Sequence, residues 1–375
     1  MHHPDFPLAE DLIYFNHAAV APWPDRTRKA VAEFAEQNAR YGAAFYPDWL
    51  RKETQLREQL QALVNAPSPD DIALVKNTSE ALSFVAYGLD WQAGDNIVTS
   101  NEEFPSNRLP WESLAAQGVE LRQADLHAAA TPEDALFALV DRNTRLLTVS
   151  SIQFATGLRL DIERIGEFCK RRSILFCIDA IQSIGAVRFD VQACRADFAM
   201  ADGHKWMFGP EGLGVFYTAP DARDRLKLTQ FGWHMMKDTH NYENRPWAMH
   251  PTARRFECGS PNMLGIHALS ASVSLLLETG MEKIESLLFE RMDYLRERIE
   301  RHPELELRSP APPALKSGIA VFKHKKIANP AFYQYLMQQK VICALRGAGI
   351  RFSPHFYNSP DQIDRALAII DRCPA

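Results

Sequence analysis

Short apolar runs alternating with helical stretches fill residues 72–218. Seven runs have the length of buried strands: 72–75 (IALV), 96–100 (NIVTS), 119–123 (VELRQ), 146–152 (LLTVSSI), 174–180 (ILFCIDA), 197–201 (DFAMA) and 214–218 (GVFYT). Helical patterns lie between most of them, notably at 79–88, 132–140 and 161–171. This alternation predicts an α/β fold with a mostly parallel seven-stranded sheet covered on both faces. Such sheets bind ligands at the carboxyl ends of their strands. Upstream, Pro24 and Asp25 mark a helix start with Val31, Phe34 and Ala35 on one face. A second amphipathic helix at about 48–64 carries Leu56, Leu60 and Leu63 as its stripe. Past residue 262 come two long helices, 262–279 and 282–301, then strands near 317–323, 341–346 and 349–353 and a last helix after Pro360. The expected organisation is an N-terminal arm (1–23), a large domain (24–261) and a smaller C-terminal αβ domain (262–375).

A chain of 375 residues can bury a large core, and 46% apolar with 24% charged residues is ordinary for a globular enzyme. The formal net charge of −5 offers no basic field for nucleic acid, and no basic run goes beyond His324-Lys325-Lys326. No apolar stretch approaches the length of a membrane span, and the start, MHHPDFPLAEDLIYF, lacks the pattern of a signal peptide. A cytoplasmic location is the expectation. The six cysteines, Cys169, Cys177, Cys194, Cys258, Cys343 and Cys373, form no CxxC pair and match no zinc or disulfide framework. They read as free thiols, mostly in the core, and no metal site is expected.

Candidate chemistry gathers at three strand ends. The stretch 197–217, DFAMADGHKWMFGPEGLGVFY, places Lys205 where a buried strand enters a loop with Gly209, Gly212 and Gly214. Desolvation there depresses a lysine's pKa, and the uncharged amine is the form that makes a Schiff base with an aldehyde. The alternative is a lysine that snorkels to solvent beside an ordinary turn. After strand 72–75 the chain reads Lys76-Asn77-Thr78-Ser79-Glu80 and enters a helix. Hydroxyls and free N–H groups at a helix start suit a phosphate, although Asn77 to Glu80 also fits a capping box with no further role. The strand ILFCID ends in Asp179, followed by Gln182. A carboxylate there can keep a pyridine nitrogen protonated, with the amide on the ring's phenolic oxygen; otherwise Asp179 caps the next turn. Phosphate site, ring-nitrogen partner and aldehyde lysine are together the three handles of pyridoxal phosphate.

Over nearly its whole length the chain resembles the class V aminotransferase group of fold-type I pyridoxal-phosphate enzymes, which includes the cysteine desulfurases, kynureninase and isopenicillin N epimerase. The resemblance rests on YFNHAAVAP (14–22), KNTSEAL (76–82), EFPSNRLPW (103–111), IDAIQSIGA (178–186), DGHKWMFGPEGLG (202–214), RRFECGSPN (254–262) and GIRFSPHFYNS (349–359). It implies that Lys205 forms the Schiff base, Asp179 pairs with the pyridine nitrogen and Gln182 bonds the ring oxygen. It implies further that Thr78, Ser79 and His204 hold the phosphate. Ser260 would reach the phosphate of a neighbouring subunit, which implies a homodimer with shared active sites. Arg351 would clamp the substrate's α-carboxylate, a role that suits a guanidinium fork; from composition alone it is a surface salt bridge. Asn16 and His17 would line the substrate entrance.

Departures from the family pattern narrow the activity. Desulfurases carry a histidine over the cofactor ring, and the matching position here is Phe104, which can stack but cannot move a proton. They also need a cysteine on a loop shortly before the arginine, and ALRGAGIRFSP has none. Asp202 stands where desulfurases place a phosphate-binding serine; an anion there repels phosphate, so Asp202 either points away or is held by another partner. The expected function is a pyridoxal-phosphate enzyme acting on a small amino acid, either an aminotransferase or a β-eliminating C–S lyase. A kynureninase-like hydrolase or an epimerase comes next and a desulfurase last. A non-catalytic binding protein on the same fold is the rival from another class. The stretch 232–251 is expected to shape substrate choice.

Overall fold

A computed structural model describes residues 4–239, 243, 248–310 and 316–374, so part of the 232–251 stretch lies outside the described residues. The arm carries β1 (Ile13–Tyr14), followed by α1 (Asp25–Tyr41) and α2 (Tyr46–Val64). Then come β2 (Ile72–Val75), α3 (Thr78–Gly88), β3 (Asn96–Ser100), α4 (Leu109–Glu112), β4 (Glu120–Ala124), α5 (Pro132–Ala138) and β5 (Thr144–Ser150). The block continues with α6 (Ile162–Arg172), β6 (Leu175–Asp179), β7 (Phe198–Asp202), β8 (Gly214–Thr218) and α7 (Pro220–Arg223). Helices α8 (Met263–Thr279) and α9 (Met281–Arg301) lead to β9 (Leu305–Leu307), β10 (Ala320–His324) and α10 (Asn329–Gln338). The remainder is β11 (Val341–Ile342), β12 (Ala344–Arg346), β13 (Gly349–Phe352) and α11 (Pro360–Ile370).

The seven strands of the large sheet run in the order β2-β8-β7-β6-β5-β3-β4. All neighbours are parallel except β8, which is antiparallel to both β7 and β2. The carboxyl ends of β2, β3, β5, β6 and β7 therefore share one edge, where β8 begins. Side chains alternate between two cores with the strand period of two. Phe176, Ile178, Ala199, Ala201 and Val215 face α2, α5, α6 and α8, while Leu175, Cys177, Phe198, Met200 and Phe216 face α3 and α4. Burial on both faces explains why these strands read as continuous apolar runs.

A four-stranded antiparallel sheet, β12-β13-β10-β9, forms the C-terminal unit. Its core draws on Leu288, Met292 and Leu295 of α9, Phe332 and Leu336 of α10, and Ile363 and Leu367 of α11. Strand β9 lies outside the expected elements because three residues give too short a pattern to register. Helix α8 packs on α1 and α2, and its Ile266, Leu269 and Val273 belong to the large unit's core. We therefore propose that the division falls at the α8–α9 junction rather than at 262. On α1, Val31 and Phe34 are half-buried and Ala35 is exposed, because the helix lies outside α8.

The arm is bound to the C-terminal unit. β1 pairs in parallel with β11, Ile13 opposite Val341 and Tyr14 opposite Ile342. The His17 ring is fully buried there: Nδ1 donates to the Ser353 carbonyl at 2.8 Å, which leaves Nε2 to accept from the Tyr357 hydroxyl at 2.7 Å. With both nitrogens engaged and its pKa lowered to about 4 by burial, His17 anchors the arm and does not line a substrate entrance. The Asn16 carbonyl accepts the Ala19 and Val20 N–H groups in the same turn.

A buried ion pair ties α2 to the sheet. Arg57 donates to Glu257 at 2.6 Å, to Glu53 at 2.8 Å and to the Ile72 carbonyl at 2.6 Å, and Glu257 also accepts the Leu74 N–H. Removing the cation leaves two buried carboxylates with only Arg254, 3.6 Å from Glu53, as counter-charge among the described residues. Arg57→Met is expected to lower stability by roughly 3–5 kcal/mol in denaturant unfolding, the cost of stripping one partner from a buried pair.

Candidate active site

Loops at the shared edge of the sheet enclose a cavity of about 220 Å³. Thr78, Phe104, Asp179, Gln182, His204, Lys205 and Arg351 all line it, so one site gathers residues that the sequence scatters over more than two hundred positions. A larger open cleft, about 570 Å³, lies at the opposite end of β6 and β7 around Ile174, Ala196 and Asp197, away from these groups.

Lys205 is aimed by its neighbours. Trp206 is buried in the core shared with the C-terminal unit, and its indole N–H donates to Gln182 Oε1 at 2.8 Å. Gly185, at φ 93°, lets the turn after β6 pass beneath this loop: a Cβ there would lie 2.4 Å from the Trp206 carbonyl oxygen. Lys205 Nζ stands 5.7 Å from the centre of the Phe104 ring. Burial pushes the Lys205 ammonium down and the Asp179 carboxyl up, and each charge offsets part of the other's shift. The lysine is inside the site rather than snorkelling to solvent.

Asp179 is 2% exposed, and its Oδ1 accepts the Ile181 N–H at 3.0 Å, so it caps the turn and faces the cavity at once. Gln182 also donates from Nε2 to the Ala18 carbonyl at 3.1 Å, which ties the arm to the site. The arm lines the cavity through Ala18 and Ala19, not through Asn16 or His17.

At the start of α3, cap and site coexist. Asn77 Oδ1 accepts the Glu80 N–H, and Glu80 accepts the Lys76 N–H. The Thr78 hydroxyl is buried without a partner, and the Ser79 hydroxyl donates to Ser106, which lines the cavity. His204 Nδ1 is likewise buried and unpartnered, and burial lowers its pKa to about 4, leaving a neutral ring at pH 7. Asp202 does not point away: Oδ1 accepts the Thr78 N–H at 3.1 Å, and the side chain lines the cavity. Ser260 is exposed and does not line its own chain's cavity.

Arg351 is no surface salt bridge. It is 2% exposed, donates to the Phe154 carbonyl at 2.8 Å and leaves Nε buried without a partner. Burial, with Arg346 nearby, brings its guanidinium down to about 9. A buried cation with an unmet donor on a cavity wall fits an incoming carboxylate. The unmet Thr78 hydroxyl and His204 nitrogen, beside the start of α3, fit a phosphate in the same way. The residues present thus suit pyridoxal phosphate.

Several contributors escaped the sequence reading. Glu103 is buried and accepts from Ser100, Asn107, Gln153 and both the N–H and hydroxyl of Ser150, which fixes the loop bearing Phe104 to the end of β5. Phe154 meets Phe104 edge-on with ring centres 5.0 Å apart. Arg346 and Ser106 line the cavity. Glu103 and Ser106 lie inside the EFPSN motif, which was their available signal; Arg346 had none.

Comparison with known proteins agrees with this geometry. The family model described as aminotransferase class-V matches residues 13–365. A probable cysteine desulfurase of Methanothermobacter thermautotrophicus is 36% identical over 290 residues, 75% of this chain and 70% of the relative. A cysteine desulfurase of Pectobacterium carotovorum is 32% identical over 330 residues, 82% and 78% of the two chains. Among solved structures, an apo cysteine desulfurase of Thermococcus onnurineus superposes with a TM-score of 0.88 at 23% identity, covering 98% of this chain and 96% of that one. The cystine C–S lyase C-DES, in complex with cysteine persulfide, gives 0.91 at 22% identity, covering 98% and 100%. These structural likenesses show the fold, which is the expected fold-type I arrangement. With a family model spanning 13–365 and a relative at 36% identity, the chain belongs to the class V aminotransferase family of pyridoxal-phosphate enzymes.

Proposed function

We propose that the protein is a C–S lyase that binds pyridoxal phosphate and cleaves a small sulfur-bearing amino acid by β-elimination. The names of the relatives, cysteine desulfurase and cystine C–S lyase, support the sulfur-bearing substrate. The observation that carries the choice of lyase over desulfurase is the turn before Arg351. β12 and β13 pair through Arg346 opposite Gly349, so only Gly347 and Ala348 close the hairpin. No room remains for a loop bearing a nucleophilic cysteine, and no cysteine lines the cavity among the described residues. Cys343, the nearest in sequence, is buried with its thiol pushed up to about 12. The sulfur therefore leaves with the product instead of passing to the enzyme.

Bound pyridoxal phosphate supplies an electron sink for charge developing at the substrate's α-carbon. Lys205 would hold the cofactor, and its Nζ, whose pKa burial lowers to about 8, would carry the proton taken from that carbon. Asp179 holds a proton on the pyridine nitrogen. Arg351 fixes the α-carboxylate, while Phe104, backed by Phe154, covers the ring and excludes water. As the Cβ–S bond breaks, the sulfur departs with the bonding pair, and hydrolysis of the remaining enamine gives a keto acid and ammonia. Thr78, Ser79 and His204 hold the phosphate. Ser260 reaches the same phosphate from a second copy, making the active form a homodimer.

Incubation with cystine, cysteine and S-substituted cysteines is expected to release keto acid and ammonia in equal amounts, with the sulfur product in solution. Keto acid without ammonia would instead mean transamination, persulfide on a protein cysteine would mean a desulfurase, and no turnover across the panel would mean a non-catalytic protein. Lys205→Ala is expected to lose the borohydride-fixed cofactor adduct that wild type forms, read by mass spectrometry. Arg351→Lys, which lacks the fork, is expected to lower kcat/KM by about 10–100-fold, chiefly through KM, the worth of hydrogen bonds to a charged group.

A further inference from the structure

Asp202 sits at the phosphate end of the cavity and bears the phosphate's own sign of charge. Its Oδ1 holds the Thr78 N–H at the start of α3, one of the amides a phosphate would use there. Gly214, paired opposite Asp202, lets β8 pass close to the carboxyl group: a Cβ at that position would lie 3.1 Å from Asp202 Oδ1.

A carboxyl group in such a place can be paired, displaced or protonated. The groups facing it are the Thr78 amide of α3, Lys205 and His204 from the loop after β7, Asp179 at the end of β6 and Glu211 from the loop before β8. His204 Nδ1, 3.6 Å from Asp202 Oδ2, belongs to a neutral ring at pH 7, because burial lowers its pKa to about 4. Lys205 is the one cation of the set, and Asp179 shares it. Pairing is therefore weak, and displacement would give up the Thr78 bond. Burial raises Asp202 to about 6, and a phosphate beside it acts in the same direction.

Resting on the pyridoxal-phosphate reading above, we propose that Asp202 is a cofactor-binding acid, taking one proton from solvent as the phosphate enters and then donating it to a phosphate oxygen. The site selects a phosphate monoester that arrives with this proton, and affinity falls as the pH rises from 6 to 8. The serine of the desulfurase pattern has no such dependence, since a hydroxyl donates at every pH in this range.

The test is titration of apoenzyme with pyridoxal phosphate, following cofactor absorbance from pH 6 to pH 8, for wild type, Asp202→Asn and Asp202→Ser. The asparagine keeps the acceptor for Thr78 and a permanent donor for the phosphate. It is expected to match wild type near pH 6 and to bind about 10-fold or more tightly at pH 8, the effect of a shift of one pKa unit or more. Calorimetry in two buffers of different ionisation heat is expected to show wild type taking up more proton on binding than Asp202→Asn does. Parallel affinity curves with equal proton uptake would overturn the assignment of Asp202 and leave the pyridoxal-phosphate reading standing. Failure of wild type to take up the cofactor would overturn both. Should Asp202→Asn not fold, Asp202→Ser carries the same comparison.

Discussion

The Lys205 amine and the Asp179 carboxyl group are withheld from water in one small cavity, and the large unit is arranged to keep them there. Desolvation alone disfavours both charges, and mutual attraction across the cavity restores part of what burial removes. The balance leaves an amine able to react and a carboxyl group able to hold a proton on a ring. Neither property survives exposure to solvent, so the parallel sheet, its covering helices and the closing loops all serve that separation from water.

Precision in the site comes from hydrogen bonds made by residues that do no chemistry. Gln182 joins the Trp206 indole to the Ala18 carbonyl, linking the turn after β6, the lysine loop and the arm in one relay. Glu103 does the equivalent on the other side, where five donors lock one carboxylate and with it the backbone next to Phe104. Phe154 joins the two halves: its carbonyl receives Arg351 and its ring edge meets Phe104. Groups that would hold cofactor and substrate are thus each backed by a packed or bonded neighbour.

The large sheet was legible because strands buried on both faces leave uninterrupted apolar runs, and the strand-end residues followed from where such sheets bind ligands. Lys205, Asp179 and Thr78 were singled out that way, and they line one cavity. Strand β9 was missed because it is only Leu305 to Leu307. His17 was misplaced because a histidine near a glycine-free turn looks the same in sequence whether its ring meets a ligand or lies between Ser353 and Tyr357, more than three hundred residues away. Arg346 reaches the cavity through the hairpin's register, a tertiary property with no local signature. The proposed division at the α8–α9 junction had no signal for a similar reason: periodicity shows that α8 is apolar but not which core receives it.

The parallel pairing of β1 with β11 joins residue 13 to residue 341 and residue 14 to residue 342. A ribosome delivers these partners more than three hundred residues apart, so the first strand waits unmatched until residue 342 has been made. Ala18 and Ala19, a few positions beyond that strand, complete the cavity wall only after it docks. A nascent chain can therefore fold its large sheet early and still lack a finished pocket, so a complete cofactor site waits on the docking of the arm.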